Sequence, residues 1–349
     1  MAQPHDILLE HLVASANVRL VARLHDPAVV GNTNDEYLHI FVPDLHLVSD
    51  DVRSHYEYGF DWRDEFTALI TALLKTCEAV EQAGHHCTVT QLGDFVDLWR
   101  QSDSDPHGVH AILEAFPDIR DRFLREADDS LGARLLLGNH DLEARQARDF
   151  DRAVMRHYLP GTAGTLLATH GDAFDVLETT VPEGVKAFVL QTFGRLASPE
   201  TYPFGALRTL RNQTTTPPSE RARIQGDATL AGLRDNTEDF PDCWNVIEVH
   251  QAADEDRRTA HPLLPNAVRA AETLRTELES DGRPAAPALK VIVIGHTHHA
   301  RLIVDHTANL VLMDCGAWIE NYQVNQEPKR PNRQLGAVCG ADLRIYQLD

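Results

Sequence analysis

The chain has 349 residues, is 43% hydrophobic, and carries 53 acidic against 32 basic residues for a net charge of −21 at pH 7. That length and apolar content suffice for a sizeable buried core, as one large domain or a domain with an insertion, and exclude a disordered chain. The acidic balance speaks against an extended phosphate-tracking surface for DNA or RNA, so an anionic substrate has to be attracted locally.

No stretch approaches the roughly 18–20 apolar residues of a membrane span, and the start Met1-Ala2-Gln3-Pro4-His5-Asp6 lacks the basic character of a secretory signal. A cytoplasmic protein is expected. The five cysteines, Cys77, Cys87, Cys243, Cys315 and Cys339, are scattered and form no CxxC pair, so they read as reduced structural thiols.

Residues 8 to 24 have a helical apolar rhythm (Leu8, Leu9, Leu12, Val13, then Ala16, Leu20 and Leu24) and run into a polar turn at Gly31-Asn32-Thr33-Asn34-Asp35. Residues 1–36 therefore read as a leader before the core. Strand and helix patterns then alternate: strand Leu38 to Val42, helix over 62–82, strand over 87–92, helix over 107–127, strand Arg134 to Leu137, short helices over 141–158, and strand Leu166 to Thr169. From 174 to 288 helical segments are interrupted by "TTTPPSE" and "DGRPAAP", which predicts a mainly helical insertion, a lid over the site. Strands follow at Val291 to Ile294, Arg301 to Val304, Leu310 to Asp314 and Leu343 to Leu348, with a surface loop over 325–334. The alternation predicts an α/β layered fold of β-sheets flanked by helices, with its core in 37–173 and 289–349.

The chemistry-bearing residues gather where these strands end. Phe41-Val42-Pro43 runs into Asp44-Leu45-His46, Val89 to Leu92 into Gly93-Asp94-Phe95-Val96-Asp97, Leu135 to Leu137 into Gly138-Asn139-His140-Asp141, Leu166 to Thr169 into His170, and Val291 to Ile294 into Gly295-His296-Thr297-His298. In an extended chain, alternation places Asp44 with His46, and His296 with His298, on one side of the backbone. Taken singly, each is ordinary: Gly-Asp is turn chemistry, and Asp141 suits a helix cap. Together, each behind an apolar strand, they are set to converge, because ligands of open α/β sheets gather outside the carboxyl ends of the strands.

The ordered set D-x-H, G-D-x-x-D, G-N-H-D, a lone His and G-H-x-H resembles the signature of the calcineurin-like metallophosphoesterases, over roughly residues 37–180 and 288–320. The resemblance implies a metallophosphoesterase fold and two divalent metal ions, Asp44, His46, Asp94 and His298 holding one, and Asp94, Asn139, His170 and His296 the other, with Asp94 as the bridge. Two carboxylates, four imidazoles and one amide suit Mn²⁺ foremost, with Fe or Zn²⁺ as further options, better than Mg²⁺ or Ca²⁺. With two ions and a bridging hydroxide the centre carries a charge of about +1 and attracts phosphate. The implied activity is hydrolysis of a phosphate ester or pyrophosphate bond by that hydroxide, with His140 assisting the leaving oxygen and Asp97 orienting His140. His299 is expected beside the centre or at the surface.

Leu98-Trp99 after Asp97 departs from the Arg-Gly of protein serine/threonine phosphatases, and Asp97 itself stands where purple acid phosphatases have a tyrosine ligand. "GDFVDLW", "THGDAFD" and "GHTHH" are similar to bacterial UDP-2,3-diacylglucosamine pyrophosphatases, although those commonly have arginine at the position of His140 and a lid shorter than the 125 residues between His170 and His296. The expected substrate is a small phosphoester or nucleotide-like molecule, with Arg195, Arg208, Arg211, Tyr202 and Phe204 of the insertion as candidate clamps. A nuclease of the same superfamily and a catalytically silent scaffold are the alternatives.

Overall fold

The computed structural model describes residues 3–31, 35–49, 63–98, 108–124, 133–141, 144–145, 147–150, 152–162, 165–174, 246–249, 253–280, 289–298, 300–318, 320–321, 330–331 and 333–348. Among them the chain is mixed α/β, with two six-stranded mixed sheets. The first has the order β1 (Val18–His25), β14 (Asp342–Leu348), β13 (Gln334–Cys339), β2 (Tyr37–Val42), β3 (His86–Gln91), β4 (Arg134–Leu135). The second has the order β5 (Arg156–Tyr158), β6 (Leu166–Thr169), β8 (Val291–Ile294), β10 (Leu310–Asp314), β9 (Arg301–Asp305), β7 (Val246–Val249). A short ribbon pairs β11 (Glu320–Asn321) with β12 (Arg330–Pro331).

Strand alternation sorts the apolar residues into layers. In β8, Val291 and Val293 pack with Phe41, Leu92, Val311, Met313 and Ile345 between the sheets, while Ile292 and Ile294 face the opposite way. There they meet Leu264, Ala267, Val268 and Ala271 of helix α7 (Leu264–Ser280). On the outer side of the first sheet, Leu38, Ile40 and Val42 of β2 pack against Leu8 and Leu12 of α1 (Pro4–Val13) and against Phe66, Leu69, Ile70 and Leu73 of α3 (Arg63–Gln82). The four-residue α2 (Pro27–Val30) lies between them in sequence, capped by Asp26. The result is a helix, sheet, sheet, helix sandwich in which central strands are buried on both faces, which is why they read as unbroken apolar runs. Each fully buried Val or Ile contributes about 1.5–3 kcal/mol by leaving water.

Several sequence expectations are revised. Residues 18–25 form β1 rather than the end of a helix: "VRLVARLH" fits either period, and antiparallel pairing with β14 from Val18↔Leu348 to His25↔Asp342 decides for strand. The described part of 1–36 thus adds β1 to the first sheet and α1 to its outer layer and is not a leader outside the core. The predicted helix over 107–127 divides into α4 (Gly108–Ala115), α5 (Pro117–Ile119) and a π-helical turn Arg120–Leu124, because Pro117 cannot continue a helix from Ala115. Among the described residues of 141–158 the structure has 3-10 geometry at 144–145 and at Arg148–Phe150, and residues 156–158, read as helical, form strand β5. Strand β13 overlaps and follows the segment read as a loop. Of the predicted insertion 174–288, the described parts β7, α6 (Asp254–Ala260) and α7 belong to the second sheet and its helical layer, since β7 pairs in parallel with β9. Residues 175–245, with the candidate clamps Arg195, Tyr202, Phe204, Arg208 and Arg211, lie outside the described residues. Among the described residues no helix is long and apolar enough to cross a membrane.

Burial lowers the pKa of His5 and of His39 to about 4 from an ordinary 6.5, with the charge of His157 adding to the effect at His39. Both are neutral in the fold and free to protonate in the unfolded chain. Their contribution is therefore complete above pH 6.5 and is lost as pH falls from 6.5 towards 4. The urea midpoint is expected to decline across that window, and to decline less steeply in His39→Asn; an identical slope in the variant would remove His39 from the account.

Candidate metal centre

β2, β3 and β4 run parallel to one another in the first sheet, and β6, β8 and β10 do so in the second. The loops that follow β2, β3, β4, β6 and β8 meet at one edge of the sandwich. Cross-links hold the two sheets together there: Asp44 forms an isolated parallel bridge with Ala317, and the His170 Nδ1–H donates to the Leu92 carbonyl at 2.9 Å.

All nine sequence-predicted site residues come together. In one group, His298 Nε2 lies 3.2 Å from Asp44 Oδ2 and 3.0 Å from His46 Nε2. In the other, His170 Nε2 lies 3.3 Å from Asp94 Oδ2, 3.0 Å from Asn139 Oδ1 and 3.2 Å from His296 Nδ1. Asp94 Oδ2 is also 3.4 Å from His46 Nε2, so this single oxygen sits between the two groups. Each group draws on both sheets: Asp44, His46, Asp94 and Asn139 come from the first, His170, His296 and His298 from the second. Asp97 touches two imidazoles at once, His140 Nδ1 at 2.9 Å through Oδ1 and His46 Nδ1 at 3.3 Å through Oδ2.

The backbone that makes this possible is left-handed. His46 (φ 47°), Asp94 (φ 49°), His296 (φ 71°) and His298 (φ 61°) are four of the five non-glycine residues with positive φ among the described residues. Such conformations cost of order 1–3 kcal/mol each and persist where the surroundings over-determine them, typically at functional sites. They also replace the simple alternation expected from an extended chain. His296 and His298 turn to different groups because both are left-handed, not because they share one side of a strand.

The electrostatics favour a cation. Burial pushes Asp94 towards neutrality, but the imidazoles of His170, His140 and His46 overcome it and hold the carboxyl well below the usual range. Burial likewise opposes a charge on His170, yet Asp94 and Asp44 raise its pKa well above the ordinary value. Asp44, buried away from solvent, is pushed up to about 6. The cluster thus binds positive charge as protons, and metal ions compete for the same positions. The facing ring nitrogens of His46 and His298, and of His170 and His296, admit at most one proton per pair, which leaves lone pairs directed into each group. Asp44 Oδ1 is buried with no hydrogen-bond partner among the described residues, while Oδ2 is the oxygen that faces His298 Nε2 at 3.2 Å. Donor type, burial and spacing all fit divalent ions, and three His/Asp clusters suited to a metal occur here: Asp44–His46–His298, Asp94–His170–His296 and His46–Asp97–His140. The third is accounted for by Asp97 accepting from two imidazoles.

The motif glycines are required by space. A Cβ on Gly138 would overlap Asp94 Oδ1 and lie 2.7 Å from the His170 ring, and one on Gly295 would overlap Asp44 Oδ1. Gly93, at φ 100°, has the Gly138 nitrogen 2.8 Å from where its Cβ would be. Gly138→Ala is expected to destabilise the fold by about 1–3 kcal/mol through overpacking and to lower metal uptake together with the melting temperature. A variant with wild-type melting and uptake would show that the loop yields freely.

Two supporting residues escaped sequence reasoning in this role. Asp141, which the sequence offered only as a helix cap, instead accepts from the Gly138 N–H at 2.7 Å and the Phe95 N–H at 2.8 Å, tying the Asp94 and Asn139 loops together. Burial and the nearby Asp94 charge raise its pKa to about 8. Gln91 clamps the turn by accepting from the Gly93 N–H at 3.0 Å and donating to the Gly93 carbonyl at 2.7 Å. A polar residue ending an apolar strand was the available signal for Gln91. His299 lies outside the described residues. No protein-family model matches the chain, and no curated protein matches its sequence.

Proposed function

We propose that the protein is a dinuclear-metal-dependent phosphoesterase of the calcineurin-like metallophosphoesterase type, acting on a small phosphate ester or pyrophosphate. The observation that carries this reading is the position of Asp94 Oδ2, 3.4 Å from His46 Nε2 and 3.3 Å from His170 Nε2, shared between two donor groups. Asp44, His46, Asp94 and His298 would hold one ion, and Asp94, Asn139, His170 and His296 the other. Two such ions, Mn²⁺ foremost, supply Lewis acidity that lowers the pKa of water and neutralises phosphoryl charge.

The chain's own residues supply the remaining chemistry. Asp97 fixes the Nδ1–H tautomer of His140 and stabilises its imidazolium, so a proton carried at Nε2 is delivered to the leaving oxygen. The same carboxylate fixes the proton of His46 on Nδ1, which leaves Nε2 as the donor atom facing Asp94. His140 is 8% exposed, so its imidazole is largely shielded from bulk solvent. Hydrogen bonds from the His140 N–H to Asp94 Oδ1 and from the His296 N–H to Asp44 Oδ2, both 2.9 Å, orient the two carboxylates from the backbone.

The test is hydrolysis of para-nitrophenyl phosphate, its bis-ester and a UDP-sugar by Mn²⁺-treated protein, with and without chelator, alongside metal analysis. Chelator-sensitive turnover on any of them is the expected result, and the preferred compound separates the mono-, di- and pyrophosphate branches. Two bound metals with no turnover on a broad phosphoester panel would overturn the enzymatic reading in favour of a silent scaffold.

A further inference from the structure

Asp314 closes β10 directly beside the end of β8, in register with Ile294, at the point where the Gly295–His298 loop begins. Its carboxylate is fully buried and accepts from three donors: the Gly316 N–H at 3.0 Å on Oδ1, His261 Nε2–H at 3.0 Å on Oδ2, and the Thr297 hydroxyl, also on Oδ2. The tautomer of His261 follows from geometry. Its Nδ1 accepts from the Leu263 N–H at 3.2 Å, so the proton is on Nε2 and points at Asp314. His261 is 1% exposed and follows α6, in the stretch that leads into α7.

We infer that Asp314, oriented by His261, positions the Gly295–His298 loop through the Thr297 hydroxyl and thereby sets the spacing of His296 and His298 at the two metal positions. This inference rests on the proposed metal centre. Thr297 is the residue between two left-handed histidines, and its side chain is anchored on the side of the second sheet while the His296 N–H is anchored on Asp44 of the first. With both anchors the two imidazoles cannot swing independently. Without the hydroxyl bond, backbone contacts remain, the His296 N–H to Asp44 and the Gly295 N–H to the His170 carbonyl, but the Thr297 side chain no longer ties the loop to Asp314 and the spacing relaxes. Asp314 and His261 are positioning residues rather than ligands, acting at one remove as outer partners of metal sites do. Their effect reaches the site from the α6–α7 connection, which links the segment before β8 to the chemistry.

The experiment is titration of the chelator-stripped full-length protein with Co²⁺, followed by visible absorption and by competition with a chromophoric chelator. Thr297→Val is close in volume and lacks the donor, whereas Thr297→Ser keeps it. Thr297→Val is expected to bind Co²⁺ roughly 10–100-fold more weakly with a changed visible spectrum, to melt like wild type when metal-free, and to be rescued by Thr297→Ser. His261→Gln, which retains a donor, is expected to lie between wild type and His261→Phe, and serves if Thr297→Val does not fold. Wild-type affinity and spectrum in Thr297→Val, or equal loss in Thr297→Ser, overturns the positioning role while leaving the metal centre standing. No Co²⁺ uptake by the wild-type chain overturns the metal centre itself, and this role with it.

Discussion

Asp94→Asn is expected to abolish stoichiometric binding at both metal positions. Asparagine keeps an oxygen to accept from the His140 N–H, which in the native chain reaches Asp94 Oδ1 at 2.9 Å, so the loop retains its backbone contact. What is lost is the charge on the one oxygen that lies between His46 and His170. The surrounding imidazoles hold Asp94 ionised despite its burial, so the variant removes a full negative charge from between the two groups. Affinity should fall by more than the roughly 10–100-fold typical of an outer partner, and hydrolysis should fall to background. Metal analysis after gel filtration checks it. Two equivalents retained by Asp94→Asn would refute the shared-ligand role, whatever the rate.

The second large effect separates two neighbours. His140→Ala leaves the His140 backbone N–H, and with it the orientation of Asp94, so metal content should persist. Turnover should drop by about 10²–10⁴, the range of a lost general acid, with the greatest loss on esters of poor leaving groups. Asp97→Asn should behave differently. Asp97 contacts Nδ1 of both His140 and His46, and an asparagine has one acceptor oxygen for the two imidazoles. Weaker metal binding should therefore accompany the loss of rate in Asp97→Asn but not in His140→Ala. Equal metal affinity in both variants, measured by chelator competition, would remove His46 from the duties of Asp97.

Much of this site was legible because β2, β6, β8 and β10, and the second half of β3, are buried on both faces and stop at Gly, Pro or a polar residue, so their ends are marked in the sequence. β1 was hidden because its partner β14 is more than three hundred residues away, and a short amphipathic segment has no local means of choosing its period. β13 was obscured by Gly336, which looks like loop chemistry. In the structure a Cβ there would lie 2.9 Å from Met313 Cε and closer still to Cys315 Sγ, so the glycine permits sheet-to-sheet contact. The residues converging on the centre were readable by type and order. Their left-handed backbone was not, because nothing in Gly-His-Thr-His distinguishes a bend from an extended end. Asp314 ends an apolar strand just as the ligand loops do, yet its partner His261 sits in a segment with no pattern pointing to the site.

Each donor group takes residues from both sheets, and His46 and His298 are 252 positions apart in the chain. Contacts of such separation form late, because loop closure has to be met before they repay it. A half-folded chain in which only one sheet has assembled holds no more than part of either group. Metal capture during refolding would therefore report the docking of the two sheets and not the formation of either. A partly folded chain emerging from synthesis would be a weak chelator until its last strands, β8 through β14, were in place.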